Sequence, residues 1–369
     1  MRALAPPIAL LCAACSFKIV NDAATDGPPG GDAAGTPLRK RITIAPAAVM
    51  SALTEFPVWI VRDGDGDLMA RASGSGSDIH FTGAGGAPIP YQIQRWTKSA
   101  GRLEAWVKVD LSDNQDTVIE LRYGDPRGAG TPSPQEVFSN GFVAVWHLDD
   151  PIAAPDAAIA DATGQYPGTG GGLAASDQVT ARLGGGVDFD GTSKRINFRL
   201  PLTGNSEHTI SAWVNQRTAS GYDTIVTMGN PTGNQSRWLH ARYNAGVSAG
   251  FFGNDWPDPG TLPNIDNTGW VLLHWTYKSN RQSRMYRNGV EVGSHTFNSN
   301  VNTQGADGNL AYAPAQWGVN GTDPCWLNGT LDEVRIATID RSPEWIAAEH
   351  ANQSSPQTFY TVGAEEPAP

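Results

Sequence analysis

From residue 41 onward, apolar and polar residues alternate in short runs. The first series reads RITIAPAAV, FPVWIVR, DIHFTG, YQIQRW, LEAWVKVDL and TVIELRYG, each closed by Gly, Pro, Asp or Ser. A period of two predicts strands with one face buried, and the closing residues predict tight turns. SGSGSD and AGGAP read as turns or loops. A Pro/Gly-rich linker, GDPRGAGTPSPQ, interrupts the pattern before a second series begins at VFSNGFVAVWHLDD. This series continues through GGVDFDG, KRINF, HTISAWVNQR, DTIVTMG, RWLHARY, GVSAGFFG, GWVLLHWTYKS, SRMYRNGVEVGSH, PAQWGVNG and GTLDEVRIA. In HTISAWVN, Ile210, Ala212 and Val214 share one face, and Thr209, Ser211 and Trp213 share the other. Asn288-Gly289 between alternating segments predicts a hairpin, because a type I′ turn needs positive φ twice. RSPEWIAAEHAN predicts the one clear helix, with Ser342 at the N-cap, Pro343 at the first helical position and Glu344 at the positive end.

So many strands without intervening helices predict an all-β chain. Its expected parts are a small N-terminal β-sandwich over 41–128 and a jelly-roll sandwich over 137–366 with one short C-terminal helix. A length of 369 residues fits two domains. The 12 Trp residues suit sandwich cores or exposed aromatic platforms. A formal net charge of -11 with no basic stripe excludes a nucleic-acid partner, which needs clustered Lys and Arg. Cys325 is alone after Cys12 and Cys15, so a disulfide framework is excluded for the folded part.

The chain opens MRALAPPIALLCAACSFKIV, one Arg followed by an apolar run too short to span a bilayer. LCAAC resembles a bacterial lipobox, with residues 1–15 as the signal and Cys15 as the lipidated residue. A plain signal peptide cleaved nearby is the alternative. The resemblance implies export and an outer-membrane lipoprotein facing the periplasm or the cell surface, because Ser16 rather than Asp follows Cys15. Residues 16–40 are small, polar and Pro/Gly-rich and read as a flexible tether. A flexible chain of that length spans on the order of 25–30 Å.

The order of FPVWIV, GSDIHFTGAGGAPIPYQIQRW, LEAWVKVDL and TVIELRYGDP resembles a bacterial domain of unknown function, family 2341, which brings no activity with it. The order of VWHLDD, DATGQYPGTG, GGVDFDG, TISAWV, GWVLLHWTYKSNRQSRMYRNGVEV and NGTLDEVRIATIDRSPEWIAAEH resembles the laminin-G-like, concanavalin-A-like jelly roll. That resemblance implies binding of a carbohydrate or a cell-surface protein through loops or a sheet face. Trp256, Trp326, Trp238 and Trp317 are the candidate aromatic platforms, with Asp255 among the acids beside them. For Trp256 and Trp326, core packing is the even alternative. The same resemblance implies a structural calcium, with Asp332 in the last strand as a ligand. Asp149, Asp161, Asp188 and Asp190 are its candidate partners, and turn capping is the alternative for each.

Three motifs bear on catalysis or metal. DGDGDL starts like an EF-hand loop, but Leu68 and Gly74 stand where Gly and a bidentate acid are required, so an acidic hairpin loop is expected. GVSAG around Ser248 fits the nucleophile-elbow pattern but leads into another strand, so it reads as a Gly-spaced strand. Glycoside hydrolases on this jelly roll set two carboxylates across a cleft, ~5–5.5 Å apart when retaining. Adjacent residues of a strand point to opposite faces, so Asp332 and Glu333 are not expected to form that pair. Asp332 is expected inward with Val334 and Ile336, and Glu333 outward in a surface ion pair with Arg335. The expectation is a non-catalytic, surface-anchored binding protein with no catalytic residues assigned. The alternatives are a glycoside hydrolase or lyase and a structural envelope or adhesion module.

Overall fold

A computed structural model describes residue 35 and residues 37–125, 130–217, 221–243, 245–256, 262–315 and 324–369, with the backbone of Lys18–Ile19. Cys15 and Trp317 lie outside the described residues.

The chain is all-β, as its alternation predicts. The N-terminal domain has two four-stranded sheets. One runs Lys18–Ile19, Tyr91–Thr97, Arg102–Leu111, Leu53–Arg62, and the other Thr361–Pro367, Leu38–Ile44, Thr117–Tyr123, His80–Gly83. Lys18–Ile19, expected inside the tether, pairs in parallel with Arg95–Trp96. DGDGDL is not a hairpin loop. Asp65 caps a short helix, Gly66–Arg71, through the amides of Asp67 and Leu68, and its carboxylate also meets Lys40 and Arg62. Among the described residues three short α-helices therefore accompany the expected one: this helix, Pro134–Val137 and Pro356–Phe359.

Two larger sheets form the jelly roll. The groove sheet runs Asn254–Asp255, Gly246–Phe251, Ser236–Tyr243, Tyr222–Gly229, Asp307–Leu310, Arg195–Arg199, Gly168–Gly171, Ala158–Ile159. The interface sheet runs Gln178–Thr180, Gly185–Asp190, Asn328–Ala337, His208–Gln216, Val271–Tyr277, Gln282–Arg287, Val290–Thr296, with Phe142–Trp146 also paired to Asn328–Ala337. Ile210, Ala212 and Val214 enter the core between these sheets, where Trp146, Phe198, Leu239 and Trp275 join them. Trp213, on the opposite face, belongs to a second core. GVSAG is a strand, with Ser248 buried. Asn288 and Gly289 both have positive φ, 52° and 81°, as the hairpin reading requires.

The second core ties the domains together. It holds Trp59 and Trp106 of the first domain, Trp213 and Leu272 from the back of the interface sheet, and Trp345 from the helix Pro343–Ser354. Ser342 caps that helix by accepting from the Trp345 amide, and Pro343 opens it. Asn352 then satisfies the open edge of Leu53–Arg62: its Oδ1 accepts from the Trp59 amide at 2.7 Å, and its Nδ2 donates to the Trp59 carbonyl at 3.1 Å. Tyr360 Oη accepts from the Val61 amide at 2.8 Å. An uncovered edge would otherwise present unpaired backbone groups. The last strand, Thr361–Pro367, begins within the expected jelly-roll span of 137–366 but pairs antiparallel with Leu38–Ile44 of the first domain.

Candidate functional site

The groove sheet carries a polar row on the face turned away from the core. Its cross-strand register runs Thr169, Asn197, Asn309, Thr227, Trp238, Gly250, Asp255. The first four residues line a cavity of about 660 Å³, together with Arg195, Arg199, Asp307 and Tyr312. The strand Arg195–Arg199 explains the placement: Ile196 and Phe198 enter the core, so Arg195, Asn197 and Arg199 must face out. Asp307 and Asn309 alternate in the same way with Gly308 and Leu310, and any side chain at Gly308 would collide with the Phe198 ring.

The groove is held in shape from below and beside. Thr227 Oγ1 donates to the Tyr312 carbonyl at 2.8 Å. Arg195 donates from Nε to Asn197 Oδ1 at 3.0 Å, and its guanidinium lies 5.3 Å from the Tyr312 ring centroid. Trp326 also packs against Tyr312, with centroids 4.3 Å apart. Of the expected platforms, Trp326 thus stands beside the groove and is half-buried. Trp238 lies in the row but is only 4% exposed, packed against His240 and Tyr243. Asp255 ends the row, accepting from Tyr243 Oη at 3.3 Å. Trp256 turns the other way, into the core against Phe297 and Leu262, so it offers no ligand-facing ring.

Sequence reasoning missed Asn197, Asn309, Arg195 and Arg199. The signal was present in RINFR, where three polar residues alternate with Ile and Phe. A binding surface made of ordinary outward positions of a strand has no spacing motif to mark it.

The buried acid Asp223 sits in the same strand as Thr227 and accepts from Gln216 Nε2. Burial pushes its carboxyl up to about 7, against the opposing pull of Gln216 and Arg242. A raised carboxyl contributes stability below its unfolded value near 3.8 and loses it as pH rises to about 7. Asp223→Asn should therefore gain in melting temperature over wild type progressively between these pH values and hold that gain above them. A difference that does not change with pH contradicts this. Cys325 is nearby and buried, and burial holds its thiol up at about 12, the state of an inert core thiol.

The carboxylates expected around calcium do not converge. Asp161 is spent on a turn, accepting from the amides of Val145, Thr163, Gln165 and Tyr166. Asp188 binds Arg217 and Thr330. Asp190 caps the amides of Thr192 and Ser193. Asp332 accepts from the Leu183 amide at 2.6 Å. Asp149 is pushed up by burial. Among the described residues no three His, Cys, Asp or Glu side chains gather as a metal site, so the residues present do not fit the implied ion.

Asp332 and Glu333 do not split between two faces. A β-bulge sets both Glu333 and Val334 opposite Ala212, with Trp213 facing Asp332 and Ser211 facing Arg335. Glu333 takes the left-handed backbone, φ 51°, which costs a non-glycine residue on the order of 1 kcal/mol. The extra residue reverses the phase. Leu331, Val334 and Ile336 enter the jelly-roll core, whereas Asp332, Glu333 and Arg335 lie buried on the side of the first domain. The Glu333–Arg335 ion pair exists, at 2.8 Å, but with both partners 1% exposed it is no surface pair.

It is the centre of a buried network. Glu333 Oε1 meets His147 Nδ1 at 2.7 Å, and His147 Nε2 meets Gln92 of the first domain at 3.1 Å. Arg335 donates to Glu349 at 3.0 Å, and Glu349 meets His274 at 3.1 Å. The Arg335 guanidinium lies 4.3 Å from the Trp106 ring centroid. Burial would raise the Glu333 and Glu349 carboxyls. His147 and Arg335 outweigh it at Glu333, and His274 and Arg335 hold Glu349 down at about 2. Burial and the Glu333 charge instead push Asp332 well above the carboxylate range.

Fold and site together define a two-domain all-β protein whose second domain is a jelly roll with a polar cavity on its groove sheet. Residues 190–347 match the family described as the concanavalin A-like lectin/glucanases superfamily. Residues 75–146 match the family described as a domain of unknown function (DUF2341), a match that runs through the linker into the strand Phe142–Trp146. No curated protein matches the chain. Solved structures similar to it include domain 4 of AbnA, a GH43 extracellular arabinanase from Geobacillus stearothermophilus, in complex with arabinotriose. The identity there is 24%, covering 57% of this chain and 98% of that one, with a TM-score of 0.43. The binding domain of Paraclostridial Mosquitocidal Protein 1 is 13% identical over 58% of this chain and 52% of that one, TM-score 0.41. The receptor binding domain of botulinum neurotoxin C/D mosaic serotype is 13% identical over 58% and 51%, TM-score 0.42. The chain spans about half the length of these last two, and at such scores none of the likenesses speaks to its ligand.

Proposed function

We propose that this protein is a non-catalytic binding module that holds a saccharide in the groove-sheet cavity, tethered to a membrane through Cys15. The observation that carries the reading is the in-register row of Thr169, Asn197, Asn309 and Thr227 in a cavity flanked by Tyr312 and Trp326. Amides and hydroxyls at the strand spacing offer donors and acceptors to sugar hydroxyls, and an aromatic ring beside them suits the apolar face of a sugar. Binding without turnover is supported by the charge inventory. Asp307 is the one carboxylate among the described lining residues, whereas glycoside hydrolysis generally uses two.

Titration of a polysaccharide panel by calorimetry tests this reading. Asn197→Ala and Asn309→Ala should each weaken the ligand that binds by about tenfold, one hydrogen bond's worth, with little change in melting temperature. Unchanged affinity in both variants removes the groove as the site. Release of reducing sugar that disappears in Asp307→Asn replaces binding with hydrolysis.

A further inference from the structure

Resting on the saccharide reading above, we propose that the groove selects a saccharide carrying an anionic substituent, a carboxylate or a sulfate. The described lining residues include two cations, Arg195 and Arg199, against the single anion Asp307. This stands out in a chain of net charge -11, where a local excess of positive charge needs a local reason. Both arginines project from one strand on the same face, with Asn197 between them. Their Cα atoms are therefore roughly 13 Å apart along the strand, a span over which charged groups of successive sugar units can be met separately.

The two arginines are poised differently. Arg195 is braced by Asn197 and by the Tyr312 ring, so its planar fork is held in place before any ligand arrives. Arg199 is exposed and stands opposite Asp307 in the cross-strand register, yet no ion pair joins them. A guanidinium can take a carboxylate or a sulfate by two parallel N–H···O bonds, stronger and more directional than a neutral contact. Asp307 remains free to accept from a sugar hydroxyl. General attraction of a polyanion does not explain such binding, because the chain as a whole repels one.

The test uses the full chain and matched polysaccharide pairs. Polygalacturonate is compared with its methyl ester, and dextran sulfate with dextran, each titrated at low and at high salt. The expected result is binding to one charged member, at least tenfold weaker for its uncharged counterpart and weaker again as salt rises. Arg199→Gln should weaken the charged ligand about tenfold and flatten the salt dependence, and Arg199→Lys should restore the salt dependence. The pair that responds separates a carboxylate ligand from a sulfate one. If the uncharged members bind as well, or Arg199→Gln changes nothing while Asn197→Ala still weakens binding, selection of anions is overturned and the saccharide site stands. If no member of either pair binds wild type, selection of anions is overturned, and the polysaccharide panel decides the saccharide reading.

Discussion

Arg335→Met is expected to destabilise the fold by about 3–5 kcal/mol, the cost of leaving buried charges without their partner. The guanidinium touches Glu333 and Glu349 at once and lies over Trp106, and all four side chains are buried. Its removal leaves two carboxylates on neighbouring elements, Glu333 with His147, and Glu349 with His274 and a hydrogen bond from Gln353. Equilibrium denaturation checks this, and a double-mutant cycle isolates the cause. Adding Glu349→Gln to Arg335→Met should recover part of the loss, because the second change deletes a charge that the first has orphaned. Fully additive losses would show that the ion pairs contribute little and that packing over Trp106 dominates. The two glutamates of the network respond to pH with a defined sign. Glu349 and Glu333 are held below their unfolded values, so the stability they contribute is present above about pH 4.5 and lost as pH falls, toward about 2 for Glu349.

Asn352→Leu is the second large effect, expected at about 2–6 kcal/mol. Asn352 is buried and acts as a stand-in for a neighbouring strand, pairing both backbone groups of Trp59. Leucine has the same branched outline of four side-chain heavy atoms, though bulkier, and neither donor nor acceptor. It leaves a buried amide and a buried carbonyl unpaired, at about 1–3 kcal/mol each. Hydrogen exchange gives the specific readout: the Trp59 amide should lose protection far beyond that of Ile60. Protection at Trp59 equal to wild type would show that the edge is covered by other means.

Both predictions concern the junction of the domains, and neither was legible in the sequence. The linker GDPRGAGTPSPQ reads as a break between independent units, because composition reports local stiffness and not what packs across it. Trp106, Trp213 and Trp345 lie in three separate segments, and only the folded chain brings them into one core. The final strand shows the same limit. TVGAEEP has little alternation, its side chains are largely exposed, and its place is decided by backbone pairing with Leu38–Ile44.

The candidate site divides along similar lines. Trp326, which packs on Tyr312 beside the groove, was singled out because an aromatic residue in a loop-like context is a local signal. Asn197 and Asn309 were passed over because polar residues on the outer face of a strand are ordinary until several strands align them. Trp256 and Asp255 are neighbours in a two-residue strand and its exit, and local sequence has no means of telling which of them meets the core.

Alternation alone determined that this chain is all-β, which residues of HTISAWVN share a face, where the Asn288-Gly289 hairpin turns, and where the C-terminal helix begins. These properties depend on residues within a few positions of one another. Tertiary structure decided the fate of LDEVRI. One extra residue in a bulge reverses which face each side chain takes, and that residue is accommodated by pairing with a strand more than a hundred positions away. An acid expected on the surface and an acid expected in the core thereby became neighbours in a buried junction between domains, because side-chain direction in a sheet follows register, and register is a property of two strands together.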